Sequence, residues 1–168
     1  MAIRPGKNLI SSLLGRGKST FLIEVVYDII LIMDKDGKQV ILIVDDDDNF
    51  REILKAKLEV ESFVVNEAVD GQDGLEKTKA IKPDLIVLDI RMPKMSGVQT
   101  LLRIKEDAEI ANTKVIFSTN FGENQQDSFW LDDKFAKEAG AIGYVKKTDD
   151  LNLIVGRIKQ ELGLVTSK

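Results

Sequence analysis

Short apolar runs alternate along the chain with segments whose apolar residues recur at helical spacing. Five segments are predicted to be β-strands: Val40–Val44, Phe63–Val65, Leu85–Leu88, Val115–Phe117 and Gly143–Lys146. The first and third are continuously apolar, which is typical of parallel strands that are covered on both faces. We therefore expect a helix after each strand.

The helices are predicted from apolar residues three or four positions apart. The first helix has Asn49 as its predicted cap and an apolar face of Phe50, Ile53, Leu54 and Leu58. Three more are predicted at Leu75–Ile81, Val98–Glu106 and Phe129–Ala139. The last presents Leu151, Ile154, Ile158 and Leu162 after a cap at Thr148 or Asp149.

Five strands that alternate with five helices predict an α/β fold. Parallel neighbours need right-handed crossover connections, so helices cover both faces of the sheet. We expect a flavodoxin-like, doubly wound sheet of five parallel strands in the order 2-1-3-4-5. In such sheets the functional groups gather at the carboxyl ends of strands one and three, where the winding reverses.

A charged turn at Asp34–Lys38 separates this domain, predicted over residues 39–168, from an N-terminal extension of residues 1–38. The apolar residues of Phe21–Met33 come in pairs every four positions, which favours a helix, although their β-branched content leaves a strand open. Such a helix would need a partner for its apolar face. We expect a homodimer through residues 1–38; the alternatives are packing on the chain's own domain, a membrane surface or another partner.

The composition is that of a water-soluble globular chain, with 31% charged and 43% hydrophobic residues. Phe21–Met33 contains two acidic residues and is shorter than the roughly 20 residues that span a bilayer. Arg16 and Lys18 interrupt the apolar residues before it, and no small-residue cleavage site follows. Neither a transmembrane helix nor a secretory signal is expected, which predicts a cytoplasmic protein.

The sequence contains no cysteine and no histidine, which excludes disulfides, zinc sites built on these residues and imidazole catalysis. The net charge is −4, but the first twenty residues hold four basic and no acidic side chains, which leaves −8 for the remainder. An acidic domain without clustered lysine and arginine argues against direct binding of nucleic acid. Any chemistry must therefore use carboxylates, hydroxyls and lysine.

Polar side chains follow four of the five predicted strands. They are the acidic run Asp45–Asp48, then Asp89, then Ser118 and Thr119, and finally Lys146 and Lys147. Each has an ordinary structural explanation by itself; an acidic run before a helix, for example, usually caps it and interacts with its dipole. Their coincidence at one edge of one sheet favours a functional site.

Three or more carboxylates in one crevice repel each other unless a cation joins them or one pKa rises. Mg²⁺ suits such a site because it prefers oxygen ligands and commonly binds one or two carboxylates together with a phosphate. A carboxylate beside the metal can then attack a phosphoryl donor and form an aspartyl phosphate. Asp89 is the candidate nucleophile, and Lys147 and Thr119 would stabilise the charge on the phosphoryl oxygens.

Several segments, taken together, resemble the receiver domains of two-component response regulators. They are Ile41–Asp47, Asp84–Pro93, Met95–Gly97, Val115–Thr119, Gly140-Ala141 and Tyr144–Lys147. The resemblance covers roughly Val40–Leu164 and is specific because the segments occur together. It implies that a sensor histidine kinase or a histidine phosphotransfer protein donates a phosphoryl group to Asp89.

The resemblance also implies the ligands of the metal. Asp46, Asp89 and the backbone carbonyl of Arg91 would bind Mg²⁺ directly, and Asp45 would act through water. Lys147 would contact the phosphoryl group itself.

Two further residues would carry the signal by the same resemblance. Thr119 would turn its hydroxyl toward the phosphoryl group, and Tyr144 would move inward and alter the surface formed by the last two strands and the helix between them. Phosphorylation would shift the population between two conformations. Because no DNA-binding or catalytic domain follows Leu164, we expect a stand-alone switch whose output is contact with a downstream protein partner.

The sequence departs from the family pattern in three places. Thr148 follows Lys147 where the family usually has proline after a cis peptide bond, and we expect a trans bond because a non-proline cis bond costs about 3 kcal/mol. Asn120 and Phe121 stand where small residues are usual and would restrict the access of water. The connection at residues 122–133 is longer than is common.

Three other functions are compatible with parts of this pattern. A pseudo-receiver that works without phosphorylation would not need Asp46, Asp89, Thr119 and Lys147, which are all present. A haloacid dehalogenase-like phosphotransferase would have a second aspartate where Arg91 stands. A flavin-binding domain would have a Ser/Thr-rich loop after the first strand. We therefore expect a signalling phosphoacceptor rather than an enzyme.

Overall fold

The computed structural model describes residues 37–120 and 137–164. In these ranges the elements are, in chain order, β1 (Val40–Val44), α1 (Asp48–Val60), β2 (Val64–Ala68), α2 (Gly71–Ile81), β3 (Leu85–Asp89), α3 (Gly97–Glu106), β4 (Lys114–Thr119), β5 (Gly143–Lys146) and α4 (Leu151–Glu161). None of the described helices is long and apolar enough to cross a membrane. The predicted segment Phe21–Met33 and most of the predicted helix Phe129–Ala139 lie outside the described residues.

The five strands form a single parallel sheet in the order β2-β1-β3-β4-β5. The predicted fold class and the predicted order 2-1-3-4-5 are both confirmed. The chain winds outward from β1 to β2 on one side and from β3 to β5 on the other. The winding therefore reverses between β1 and β3, whose carboxyl ends border a crevice.

Side chains that alternate across the strands divide the core into two layers. In β1, Leu42 and Val44 lie on the face covered by α2 and α3, whereas Ile41 and Ile43 lie on the face covered by α1 and α4. Every residue of β1 and β3 is buried. Burial on both faces explains why these two strands are continuously apolar in sequence.

The first helix differs from its prediction at two positions. Asp47, and not Asn49, is the cap: its carboxylate accepts two backbone N–H groups at 3.0 and 3.2 Å, and α1 begins at Asp48. Ile53, which we predicted to face the core, is 53% exposed. The buried apolar residues of α1 are Phe50, Leu54 and Leu58, which are four positions apart, and Ile53 does not fall on the face that they form.

The cap of the last helix was also predicted wrongly. It is Asp150, whose carboxylate accepts the backbone N–H of Asn152 at 2.8 Å, and not Thr148 or Asp149. The Asp149 carboxylate instead accepts the backbone N–H of Lys146 at 3.1 Å. Asp149 therefore closes the turn after β5, and the helix can begin only after it.

Strands β2 and β4 extend beyond their predicted ends. β2 covers Val64–Ala68 where we predicted Phe63–Val65, and β4 covers Lys114–Thr119 where we predicted Val115–Phe117. Most of the added residues are polar. Sheet pairing uses backbone groups, so it continues past the apolar run from which a strand is predicted.

Helix α2 begins at Gly71 with Asp70 as its cap, four residues before the predicted start at Leu75. Gly74 explains the difference, because a Cβ atom there would lie 2.8 Å from Cγ1 of Val44. Gly74 lowers the helix propensity of this segment, so the start of the helix was missed, but its lack of a side chain lets α2 pack closely against β1.

Gly97 provides a test of how closely α3 packs on the end of β3. A Cβ atom at Gly97 would lie 2.0 Å from the carbonyl oxygen of Asp89. Gly97→Ala should therefore lower the free energy of unfolding by about 2 kcal/mol or more, because backbone must move. The matched control is Gly156→Ala in α4, where a Cβ atom meets nothing within 4 Å.

Gly156→Ala should raise the free energy of unfolding by up to about 1 kcal/mol, because alanine favours a helix interior over glycine. Urea unfolding followed by circular dichroism measures both variants. Equal effects of the two substitutions would contradict the close approach at Gly97.

Candidate functional site

The predicted site residues lie at the carboxyl ends of the strands. Asp45 directly follows β1, Asp89 ends β3, Thr119 ends β4 and Lys147 directly follows β5. Val44 is aligned with Leu88, so the next residues on both strands, Asp45 and Asp89, are neighbours. The parallel sheet thus brings together residues that are far apart in sequence.

Three carboxylates converge at the crevice. Asp45, Asp46 and Asp89 each offer a carboxylate oxygen, and these oxygens lie within 4.8 Å of one another. Asp45 and Asp89 are buried, whereas Asp46 is exposed. The crevice is therefore open on the side of Asp46 and closed beneath the other two.

Lys147 joins the two buried carboxylates. Its Nζ donates to Oδ1 of Asp45 at 2.8 Å and lies 3.1 Å from Oδ2 of Asp89. The lysine side chain is only 5% exposed, and its ammonium lies 5.2 Å from the centre of the Phe50 ring. One positive charge is thus shared by two negative charges away from water.

Burial and the charges of the neighbouring groups together set the pKa values of Asp45, Asp89 and Lys147. It raises the pKa of Asp45 against the opposing hydrogen bond from Lys147. Burial, reinforced by the negative charge of Asp45, raises the pKa of Asp89 to about 6. Burial alone would lower the pKa of Lys147, but the hydrogen bond to Asp45 and the charge of Asp89 outweigh it and raise that pKa. The site thus favours added positive charge.

The acidic residues fit a hard divalent cation. Oδ2 of Asp45 is buried and has no hydrogen-bond partner among the described residues, although Oδ1 accepts both Lys147 and the backbone N–H of Asp47. A buried acceptor without a partner is costly, and a cation beside it removes that cost. Carboxylate oxygens are the ligands that Mg²⁺ prefers.

Arg91 contacts both the acidic cluster and the next loop. Its backbone N–H donates to Oδ1 of Asp89 at 3.3 Å, and its guanidinium donates to the carbonyl oxygen of Asn120 at 3.3 Å. The loops after β3 and β4 are therefore linked at the mouth of the crevice. The role of the Arg91 carbonyl as a metal ligand stays a prediction.

Thr119 and Tyr144 lie on the opposite face of the sheet from the carboxylates. Tyr144 is half-buried, is aligned with Phe117 and packs against the layer under α2 and α3. Thr119 is 4% exposed and, two residues after Phe117, belongs to the same face by strand alternation. The backbone N–H of Lys147 donates to the carbonyl oxygen of Thr119 at 2.8 Å, which links the ends of β4 and β5.

The peptide bond between Lys147 and Thr148 is trans, since the described residues contain no cis peptide bond. This agrees with our expectation for a lysine that is not followed by proline. Asn120 is exposed, whereas Phe121 and the connection at residues 122–133 lie outside the described residues.

One residue of the site, Arg51, was missed from the sequence, and Ser118 was predicted there without a role. Arg51 is 7% exposed, and its Nη1 donates to the carbonyl oxygen of Asp45 at 2.7 Å. Ser118 is fully buried beside Asp89 in the sheet register, and its hydroxyl has no hydrogen-bond partner among the described residues. The position of Arg51 directly after Phe50, on the buried face of α1, was the available signal.

The raised pKa of Asp89 predicts a pH-dependent stability. The folded chain holds a proton that the unfolded chain releases at its usual pKa of 3.8. This contribution to stability is fully present below about pH 4 and is lost as the pH rises through about 6. Asp89→Asn, which cannot ionise, should therefore be more stable than the wild type at pH 7.5, by roughly 2–3 kcal/mol at 1.36 kcal/mol per pKa unit.

Urea unfolding in the presence of a chelator measures this difference, which should shrink as the pH is lowered to 4. Glu52→Gln, at an exposed position of α1, is the control and should track the wild type. A stability difference for Asp89→Asn that stays constant from pH 4 to 7.5 would contradict the shift.

The chain is similar to a known protein family and to proteins that carry a domain of that family. The family model "Response regulator receiver domain" matches residues 41–159. Transcriptional regulatory protein SrrA of Staphylococcus aureus is 36% identical over 121 residues, which are 71% of this chain and 46% of that protein. A protein-glutamate methylesterase/protein-glutamine glutaminase of Geobacter sulfurreducens is 34% identical over 119 residues, which are 70% of this chain and 31% of that protein.

Solved structures give the same result. The response regulator receiver domain protein (CheY-like) from Methanospirillum hungatei is 28% identical and superimposes with a TM-score of 0.64, over 76% of this chain and 95% of that one. The chain spans less than half the length of the curated relatives named above. The match to the family model over residues 41–159, together with the shared fold, shows that the chain belongs to the receiver domains of two-component response regulators.

Proposed function

We propose that this receiver accepts a phosphoryl group on Asp89 in a Mg²⁺-dependent reaction. The donor is a sensor histidine kinase or a histidine phosphotransfer protein, and the site of action is the cytoplasm. The observation that carries the proposal is the convergence of Asp45, Asp46 and Asp89 within 4.8 Å, with Lys147 between the two buried carboxylates. A structural ion pair alone would not require the exposed third carboxylate.

The reaction is a displacement at phosphorus. An oxygen of the Asp89 carboxylate forms a bond to phosphorus while the bond from phosphorus to the donor's imidazole nitrogen breaks. The nitrogen keeps the electron pair of that bond, and because the other ring nitrogen of the donor histidine carries a proton, the donor leaves as neutral imidazole. The product is an aspartyl phosphate, and the phosphoryl group is neither oxidised nor reduced.

Residues of the chain prepare Asp89 for this step. The Arg91 N–H at 3.3 Å orients Oδ1, and Lys147 at 3.1 Å from Oδ2 is near enough to pair with a phosphoryl oxygen. Asp45, Asp46, Asp89 and the Arg91 carbonyl would hold Mg²⁺. When bound, the metal supplies positive charge that reduces the repulsion between the carboxylates and the incoming phosphoryl group.

Thr119 and Tyr144 would turn phosphorylation into a change of surface. Thr119 lies on the other face from Asp89, so its hydroxyl would have to turn around the end of β4 to reach a phosphoryl group. That movement would vacate space on the face where Tyr144 packs. Tyr144 would then fill the space, and the phosphorylated conformation would present a different surface to a downstream protein partner.

The output is proposed to be protein contact and not catalysis by this domain. The methylesterase relative carries a matching region within a much longer protein, and the transcriptional relatives do the same. In those proteins the matching region covers less than half of the chain. This supports a regulatory role for the domain, whichever activity it controls.

Phosphorylation can be tested with a small phosphodonor. With Mg²⁺ and acetyl phosphate, intact mass spectrometry should show one phosphoryl adduct on the wild type, and Asp89→Asn should show none. Asp107→Asn is the matched control, because Asp107 lies between α3 and β4, at the opposite edge of the sheet. Excess chelator present from the start of the reaction should prevent formation of the adduct on the wild type and on this control.

An adduct on Asp89→Asn equal to that on the wild type would reject Asp89 as the acceptor. Absence of any adduct on the wild type, with the donor shown to be active on another receiver, would instead favour a pseudo-receiver that works without phosphorylation.

A further inference from the structure

Arg51 is a buried arginine next to the acidic cluster. The proposed reaction assigns no role to it. It lies on α1 and is 7% exposed, which is unusual for a charged side chain. Its Nη1 donates to the carbonyl oxygen of Asp45 at 2.7 Å, and its Nη2 pairs with the carboxylate of Asp48. Its Nε lies 3.7 Å from a carboxylate oxygen of Glu67 on β2. The guanidinium therefore lies between the loop after β1 and the neighbouring strand.

The Asp45 carbonyl belongs to the peptide that leads to Asp46. The carbonyl of Asp45 and the N–H of Asp46 lie in one plane, because the peptide bond is rigid. Holding that carbonyl fixes the plane before the Cα atom of Asp46, and the hydrogen bond from the backbone N–H of Asp47 to Oδ1 of Asp45 holds the plane after it. The two planes together set the direction in which the Asp46 side chain leaves the backbone. The Asp45 side chain is held separately, by Lys147 and by the backbone N–H of Asp47.

Glu67 in turn is fixed from two sides. Its carboxylate accepts Nζ of Lys55 at 2.7 Å, and its carbonyl oxygen accepts Nζ of Lys77 at 2.6 Å. Arg51 thus connects the Asp45-Asp46 peptide to an anchored residue of the sheet. The planar fork of arginine can contact a carbonyl and two carboxylates at once, whereas a lysine offers a single nitrogen.

We propose that Arg51 is a positioning residue for the divalent metal site. By holding the Asp45-Asp46 peptide, it directs the exposed Asp46 carboxylate toward the buried carboxylates before a metal arrives. Mutation of a residue that hydrogen-bonds to the metal ligands and orients them commonly lowers the metal affinity ten- to a hundredfold. The inference rests on the Mg²⁺ site of the proposed function.

The direction in which the Mg²⁺ affinity changes when Arg51 is lost separates positioning from simple electrostatics. A positive charge close to a dication repels it, so by charge alone the loss of Arg51 should strengthen Mg²⁺ binding. Positioning predicts the opposite, because a misdirected Asp46 binds the metal poorly.

Isothermal titration of the full chain with MgCl₂ tests the proposal without any phosphodonor. Arg51→Met, which removes the charge and the hydrogen bonds, should weaken Mg²⁺ binding about tenfold or more. Lys57→Met is the matched control: it also removes one positive charge from α1, but the ion pair of Lys57 is with Glu61 and not with Glu67 or the Asp45 carbonyl. We expect the control to bind Mg²⁺ as tightly as the wild type, or slightly more tightly.

Arg51→Lys keeps the positive charge and is the second variant, for the case that loss of the buried charge unfolds the chain. Weaker Mg²⁺ binding by folded Arg51→Lys can arise only through geometry and would support the proposal. Binding equal to or tighter than that of the wild type, in either arginine variant, would overturn it. If the wild type itself bound no Mg²⁺, the metal site of the proposed function would fail first, so the two failures are distinguishable.

Discussion

The ion pairs of Lys147 with Asp45 and Asp89 are the interaction on which the site depends. Lys147 follows β5, Asp45 follows β1 and Asp89 ends β3, so one ammonium joins three separate strand ends. Burial already disfavours the charged forms of the two carboxylates, which lie on adjacent strands. Without the lysine, their mutual repulsion would add to that cost. The lysine makes it possible to keep two carboxylates close together inside a folded domain.

The parallel sheet makes this arrangement possible. Every strand runs in the same direction, so every carboxyl end reaches the same edge, and the reversal of winding opens a crevice there. The apolar residues of β1 and β3 fix the two neighbouring strand ends, because both strands are buried along their whole length. The same burial that stabilises the fold raises the pKa of Asp89, so the stability of the domain and the preference of the site for added positive charge have a common origin.

The residues around the carboxylates divide into two groups by face. Arg51 and Lys147 act on the face of α1 and α4, where they hold the backbone and the charges of the acidic cluster. Thr119 and Tyr144 belong to the face of α2 and α3. In the proposed function, a signal that starts at Asp89 would therefore pass around the end of β4. The hydrogen bonds from Lys147 to Thr119 and from Arg91 to Asn120 lie at that end of the strand.

The sequence by itself determined the fold class, the strand order and the residues that converge at the sheet edge, because continuous apolar runs and the residues that follow them are local properties. Tertiary structure decided the rest. Asp47 and not Asn49 caps α1, Gly74 lies inside α2, and Ile53 faces solvent, since each depends on how an element packs against its neighbours. Arg51 became visible only in three dimensions, because the carbonyl that it holds is a backbone atom, and a sequence does not show where backbone atoms meet.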